Sequence, residues 1–207
     1  MKFLCCNELT NNVDLWVLML TAINTVAVVI IAGVQICMER QQMKMQRQDT
    51  YKQQYVLIKR IHRETNRLLH DVVSIWSGSL PGIYGVEYLK ARRKAMYELA
   101  TQFSEEEDEL RLKVNITNKQ YVYYTMLLIS GQNVLNLAID ILNNESVHLL
   151  INVDNNKLDD EGRVSLILDN LYEDDKIGAK KILNIYMDSR NKVAEHSLLE
   201  VLEKHCK

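Results

Sequence analysis

Hydrophobic residues are concentrated first in one uninterrupted run near the N-terminus. Residues 15–38 contain no charged side chain, and Asn24 and Gln35 are their strongly polar members. A helix of this length spans the roughly 30 Å of a hydrocarbon core. Trp16 lies near one end, where an indole suits the membrane interface. We therefore predict a transmembrane helix over residues 15–38, after a short extracytoplasmic segment over residues 1–14.

Two other interpretations of this run fit it less well. A buried core helix seldom stays uncharged for so many positions. A cleaved signal peptide has an apolar region of about 7–15 residues followed by a small-residue cleavage site. Here the run is longer, and Asp14 precedes it.

The charges that flank the run predict its orientation. Lys and Arg outnumber Asp and Glu over residues 39–67, which follow the run, whereas Lys2 faces Glu8 and Asp14 before residue 15. The positive-inside rule then places the C-terminal side in the cytosol. We expect a single-pass protein of the cell (inner) membrane with its N-terminus outside.

The second hydrophobic pattern is a helical stripe. No helix breaker occurs between Met38 and Trp76, so we predict one helix that continues as a stalk over residues 39–76. Spacings of three and four give an a/d heptad register. The stripe consists of Ile58, Ile61, Thr65, Leu68, Val72 and Ile75. Two alternatives are open: the stripe pairs two stalks as a parallel coiled coil, or it packs on its own domain.

The rest of the chain predicts a helical domain. Residues 77–82 hold the densest turn signal and are interpreted as a hinge, before a cytosolic domain over residues 83–207. We predict helices over residues 83–103, 121–142, 160–172, 174–187 and 191–204. Ser104 with Glu107, and Thr117 with Gln120, carry the capping-box signature of a helix start. The expected core of the last three helices is Leu166, Leu168, Leu171, Ile182, Ile185, Leu198, Leu199 and Leu202.

Composition agrees with an all-α fold: an N-terminal transmembrane helix, a long stalk helix and a helical bundle. The 207 residues include 7 Gly and 1 Pro. The four cysteines, Cys5, Cys6, Cys37 and Cys206, show no metal-ligand spacing and no disulfide framework, as suits a reducing compartment. Nucleotide-binding and metal-binding signatures are absent from the sequence, so we expect no cofactor and no metal.

One short element resembles a known catalytic motif. Residues 190–196 read RNKVAEH, which resembles the Arg-Asn-x4-His element of the HEPN superfamily of helical ribonucleases. The resemblance implies catalytic roles for Arg190, Asn191 and His196 in a dimer cleft, with Arg190 on the scissile phosphate and His196 in proton transfer. Guanidinium and imidazole groups suit these roles. Because six helical positions rotate through about 600°, a shared face requires Arg190 to lie in the turn before a helix; Asp188 and Ser189 are the expected N-cap.

Three functional hypotheses follow. The first is a non-enzymatic sensor, scaffold or effector that acts at the membrane through an unknown protein partner, for example in bacterial phage defence or membrane stress. We expect it to be a homodimer or higher homo-oligomer. The second is a membrane-tethered, metal-independent HEPN-like endoribonuclease, and RNA is a partner only in this case. The third is a membrane-permeabilising effector in which residues 121–142 insert.

Overall fold

The computed structural model describes residues 4–77, 82–144 and 153–206, with side chains for 15–77, 84–144 and 153–204. These ranges are helical and contain no strand, which confirms the all-α prediction. Two compact units divide the chain, Met1–Asp49 and Thr50–Lys207, and are called unit 1 and unit 2 below. The α-helices are α1 Leu4–Asn66, α2 Leu68–Trp76, α3 Gly82–Glu105, α4 Glu107–Lys113, α5 Asn118–Asn143, α6 Asp160–Asp169, α7 Glu173–Glu195 and α8 Leu199–Cys206, with a 3₁₀ turn at Asn155–Lys157.

From Leu4 to Asp49, unit 1 is helical, and its described apolar side chains are exposed. The large apolar side chains from Leu15 to Met38 each expose half or more of their surface. Thr21 Oγ1 donates to the carbonyl of Val17 at 2.7 Å, and Thr25 Oγ1 donates to that of Thr21 at 2.8 Å. Both hydroxyls are therefore satisfied inside the helix and need no water.

Among the described residues, two helices are long and apolar enough to cross a membrane. In the N-terminal one, the most apolar stretch buries none of its residues within the protein. In α5, half of that stretch is buried. The burial of α5 is what a core helix of a bundle shows.

Helix α5 is central to unit 2 and packs against both α3 and α7. Its inward face contributes Tyr124, Leu127, Leu128 and Leu135, which are all nearly fully buried. Gly131 lies on the same face, where an added Cβ would touch Leu68 and Met96 at 3.4 Å. A small residue therefore lets neighbouring helices approach the middle of α5.

The predicted heptad stripe lies in the core of unit 2. Ile58, Ile61 and Leu68 are fully buried, and Thr65, Val72 and Ile75 expose 3% or less. Helix α2 packs against α3, α5 and α6. The stripe therefore packs on its own domain, which was one of the two alternatives; the other was a parallel coiled coil. These positions therefore offer no exposed seam for a coiled coil.

Over residues 39–76, where one continuous helix was predicted, the helix is interrupted once, at Arg67 between α1 and α2. The prediction of an unbroken helix to Trp76 is wrong at this point. The carbonyl of Glu64 accepts a hydrogen bond from Arg92 Nη2 at 2.9 Å, and that of Thr65 accepts one from Tyr186 OH at 2.6 Å. These carbonyls would otherwise serve the amides four positions later. Side chains from α3 and α7 thus occupy the helical ladder where it breaks.

The two predicted capping boxes have different outcomes. Thr117 caps α5: its hydroxyl accepts from the Gln120 amide at 3.2 Å, and the Gln120 side chain accepts from the Thr117 amide at 3.1 Å. The prediction of a capping box at Ser104 is wrong, because α3 continues through Ser104 to Glu105. Helix α4 begins at Glu107 without a side-chain cap.

The C-terminal helices exist, but their predicted limits are wrong. Helix α7 continues through Asp188 and Ser189 to Glu195, and Ser189 Oγ donates to the Ile185 carbonyl at 2.8 Å instead of capping a new helix. Ile185 is exposed, contrary to its predicted core position, whereas Ile167, Leu183 and Tyr186 are buried. Most of the predicted hinge, residues 78–81, lies outside the described residues.

Candidate functional site

The three residues of the HEPN-like element lie at the C-terminal end of α7. Arg190 is half-buried inside the helix and forms an ion pair with Asp160 of α6. Burial lowers the pKa of the Arg190 guanidinium, and the Asp160 carboxylate balances its charge. Asn191 is exposed, and His196 is the exposed residue that ends the helix.

His196 faces a different helix from Arg190. Its ring stacks on Tyr123 of α5, with 5.4 Å between centroids and 16° between planes. Its carbonyl accepts from Gln120 Nε2 at 3.4 Å. Because Arg190 lies within α7 and not in a turn before it, the condition for a shared face is not met. Within one chain, the structure turns Arg190 toward α6 and His196 toward α5.

Arg190 belongs to a polar network that connects four elements of unit 2. Asp160 binds both Arg190 and Arg163, the latter at 2.8 Å. Arg163 Nε donates to Asn155 Oδ1 at 3.0 Å, and Asn155 Nδ2 donates to the His70 carbonyl at 2.7 Å. The network therefore connects α7, α6 and the 3₁₀ turn to the first turn of α2. This arrangement gives Arg190 a structural role.

A second network surrounds Arg92 and was not anticipated from the sequence. Arg92 forms ion pairs with Glu64 and, at 3.2 Å, with Asp71. Its side chain and those two carboxylates each expose 15% or less. Tyr88 OH donates to Asp71 Oδ2 at 3.1 Å. Burial raises the pKa of the Asp71 carboxyl, against the hydrogen bond from Tyr88 and the charge of His70. Arg92 thus connects α1, α2 and α3.

An open concavity in unit 2 lies between α3 and α5 and is called the α3–α5 groove. Two cavities of about 410 and 570 Å³ meet in it at Tyr97 and Gln132, which line both. One end is basic, with Lys90, Arg93 and Lys94. The other end contains Ser104 and Glu105, and the middle contains Tyr97, Ala100, Leu128 and Ile129.

The basic end of the groove is partly fixed in position. Arg93 Nη1 donates to Asn136 Oδ1 at 3.0 Å, and Lys90 pairs with Glu87 at 2.8 Å. The cluster of basic residues is visible in the sequence, where residues 89–97 read LKARRKAMY. Which of these cations face outward depends on how α3 packs. Arg92 turns inward to Glu64, whereas Arg93 and Lys94 are exposed. The groove offers cations, amides and an aromatic ring, which are groups for binding.

Metal ligands do not gather in the described ranges: no three His, Cys, Asp or Glu side chains there are arranged to hold an ion. The thiol of Cys37 is exposed. Comparisons with models of known protein families, with curated proteins and with solved structures found no match.

Proposed function

We propose that the protein is a single-pass membrane protein whose helical domain acts in the cytosol through contacts with other protein surfaces, as a sensor, scaffold or effector. The observation that carries this proposal is the apolar stretch of unit 1, none of which is buried within the protein. An apolar surface of that length in water would be strongly unfavourable, and a bilayer removes it from water. Unit 2 has its own core.

Two further features support the anchor. The hydroxyls of Thr21 and Thr25 are bonded to backbone carbonyls, so they present no unsatisfied donor to lipid. The basic residues Arg40, Lys44 and Arg47 follow the apolar stretch, and they suit the cytosolic face. A fusion of alkaline phosphatase to the C-terminus should then be inactive, and a fluorescent-protein fusion at the same position should be bright. The reverse result would contradict the orientation.

The positions of the polar residues support the proposal that the domain acts by binding other protein surfaces. Arg190, the residue expected to bind phosphate in a ribonuclease, is held by Asp160. Its use on RNA would first require loss of that ion pair. The α3–α5 groove, in contrast, presents cations and apolar side chains on an open surface.

The experiment compares cells that express wild-type protein and His196→Ala at matched levels, with RNA integrity and membrane potential measured together. The proposal predicts intact RNA and a maintained potential with both proteins. RNA cleavage that is lost in His196→Ala would replace the proposal with the ribonuclease. A potential that collapses with both proteins would replace it with the permeabilising effector.

A further inference from the structure

The α3–α5 groove carries opposite charges at its two ends. Lys90, Arg93 and Lys94 line the end near the start of α3, and Glu105 lines the end where α3 stops. Tyr97 lies between them and exposes 64% of its surface. A surface with one basic and one acidic end, joined by an apolar centre, is complementary to itself when turned end for end.

The apolar centre of this face extends along α5. Val122, Met126 and Ile129 are exposed by 48%, 42% and 51% and recur at spacings of four and three. Side chains at these spacings form one stripe on a helix. An exposed apolar stripe with a charged rim is typical of helix-to-helix recognition. The face is therefore suited to another pair of helices.

The charges also set the register of such a pairing. Lys90 precedes Tyr97 by seven positions, and Glu105 follows it by eight. At a rise of 1.5 Å per residue, each charge lies about 11 Å from Tyr97 along α3. A twofold axis that passes near Tyr97 and reverses the helix direction therefore brings Lys90 close to the partner's Glu105. A parallel pairing would bring like charges together, which is unfavourable.

We propose that two copies of this chain pair through their α3–α5 grooves, antiparallel, around a twofold axis near Tyr97. Each interface of this kind uses the same surface twice, so every charge pair occurs twice. The heptad stripe cannot supply the seam instead, since it is buried in unit 2. The proposal rests on the proposed anchoring in one respect only: shared confinement in a membrane raises the effective concentration of the protomers.

The test uses the full chain in detergent micelles, with its four native cysteines replaced by serine and one cysteine introduced by Tyr97→Cys. A cysteine near the axis should form a disulfide between copies under mild oxidation. Lys181→Cys, at an exposed position on α7, is the matched control and should crosslink at least tenfold more slowly. Circular dichroism confirms that each variant is folded.

Charge reversal then tests the register. Lys90→Glu and Glu105→Lys, each added alone to the Tyr97→Cys chain, should slow crosslinking about tenfold, because each creates two like-charge contacts per symmetric dimer. An equal mixture of the two variants at the same total concentration should recover about half of the starting rate, since about half of the random pairings are mixed and their contacts again join opposite charges. A single chain that carries both substitutions should also recover it. Lys181→Glu should have no effect.

Three results would overturn the proposal. One is equal crosslinking at Tyr97→Cys and Lys181→Cys. Another is loss of crosslinking with either reversal but no recovery in the mixture. The third is sensitivity to Lys90→Glu alone, which would indicate that the basic end binds an acidic partner of another kind. Because crosslinking in micelles does not depend on membrane insertion, each of these results is distinguishable from failure of the proposed anchoring.

Discussion

Replacement of Arg92 by methionine is the most informative perturbation of unit 2. Methionine retains much of the side-chain volume and removes the guanidinium. The variant loses the ion pairs to Glu64 and Asp71 and the hydrogen bond to the Glu64 carbonyl. These contacts connect the end of α1, the start of α2 and the middle of α3. The packing of α1, α2 and α3 around the break at Arg67 should therefore become less stable.

The size of the effect follows from what is left unpaired. Removal of one partner from a buried ion pair costs about 3–5 kcal/mol. Here the cost is reduced, because Glu64 keeps Arg63 at 3.0 Å and Asp71 keeps the hydrogen bond from Tyr88. An unpaired carbonyl adds about 1 kcal/mol or more. We expect unit 2 to lose roughly 2–4 kcal/mol of its free energy of unfolding at neutral pH.

The assay is urea unfolding of the full chain in detergent, followed by tryptophan fluorescence. The chain has two tryptophans, so Trp16→Phe leaves the buried Trp76 to report on the core of unit 2. Arg93→Met is the matched control: its side chain is exposed and bonded only to Asn136 among the described residues. It should cost less than about 0.5 kcal/mol, as surface substitutions usually do.

Acidification provides an internal check. Burial already raises the pKa of the Asp71 carboxyl, and loss of the guanidinium should raise that pKa further, so Asp71 becomes neutral at a higher pH. The difference between Arg92→Met and wild type should therefore shrink as the pH falls toward about 4. Equal losses for Arg92→Met and Arg93→Met at neutral pH would refute the reasoning, as would a difference that grows in acid.

Three further predictions use the same unfolding assay. Burial lowers the pKa of His62 below 6.5, so the unfolded chain binds its proton first; stability should fall as the pH drops below about 6.5 and level off below the folded pKa, by at most about 1.4 kcal/mol per pH unit. His62→Gln should flatten this pH dependence, and an unchanged slope would show that His62 is not its source. Gly85→Ala should destabilise by about 1–2 kcal/mol, because its Cβ would lie 2.6 Å from Ile75 Cγ2; a gain in stability would contradict the close approach of α2 and α3. Thr117→Ala should cost about 1 kcal/mol by removing the cap of α5, whereas no loss would show that the cap is dispensable.

The elements that were predictable from the sequence are those set by local chemistry and periodicity. The capping box of Thr117 needs only the spacing to Gln120, and it forms. The spacings of three and four from Ile58 to Ile75 identify residues that are buried. Neither signal depends on which helices lie nearby. The stripe could not reveal its partner, because a coiled coil and an intramolecular core use the same pattern.

The features that were missed depend on tertiary contacts. Nothing in the sequence around Arg67 marks a break, since the break arises where Arg92 and Tyr186 take carbonyls from the helical ladder. Ser104 and Ser189 have residue types that favour caps, yet both lie inside helices. A serine inside a helix can bond back to a carbonyl four positions earlier, as Ser189 does.

The candidate site was predictable only in part for the same reason. The sequence places Arg190 and His196 in one short element, but the end of α7 decides which neighbours they meet. The α3–α5 groove depends on the rotation of α3, which sends Arg92 inward and leaves its neighbour Arg93 exposed. Packing against α5 sets that rotation, and the order of cations along the chain does not encode it.

The most direct measurement of the central claim is alkaline extraction of cell membranes that contain the full-length protein. The account predicts that wild-type protein stays in the membrane pellet. The double variant Val28→Arg and Ile31→Arg should leave it, because each charge in the middle of the apolar stretch costs about 2.5–3.5 kcal/mol in the bilayer. Ile177→Arg, at an exposed apolar position of unit 2, should remain in the pellet. Release of the wild-type protein into the soluble fraction would contradict the account.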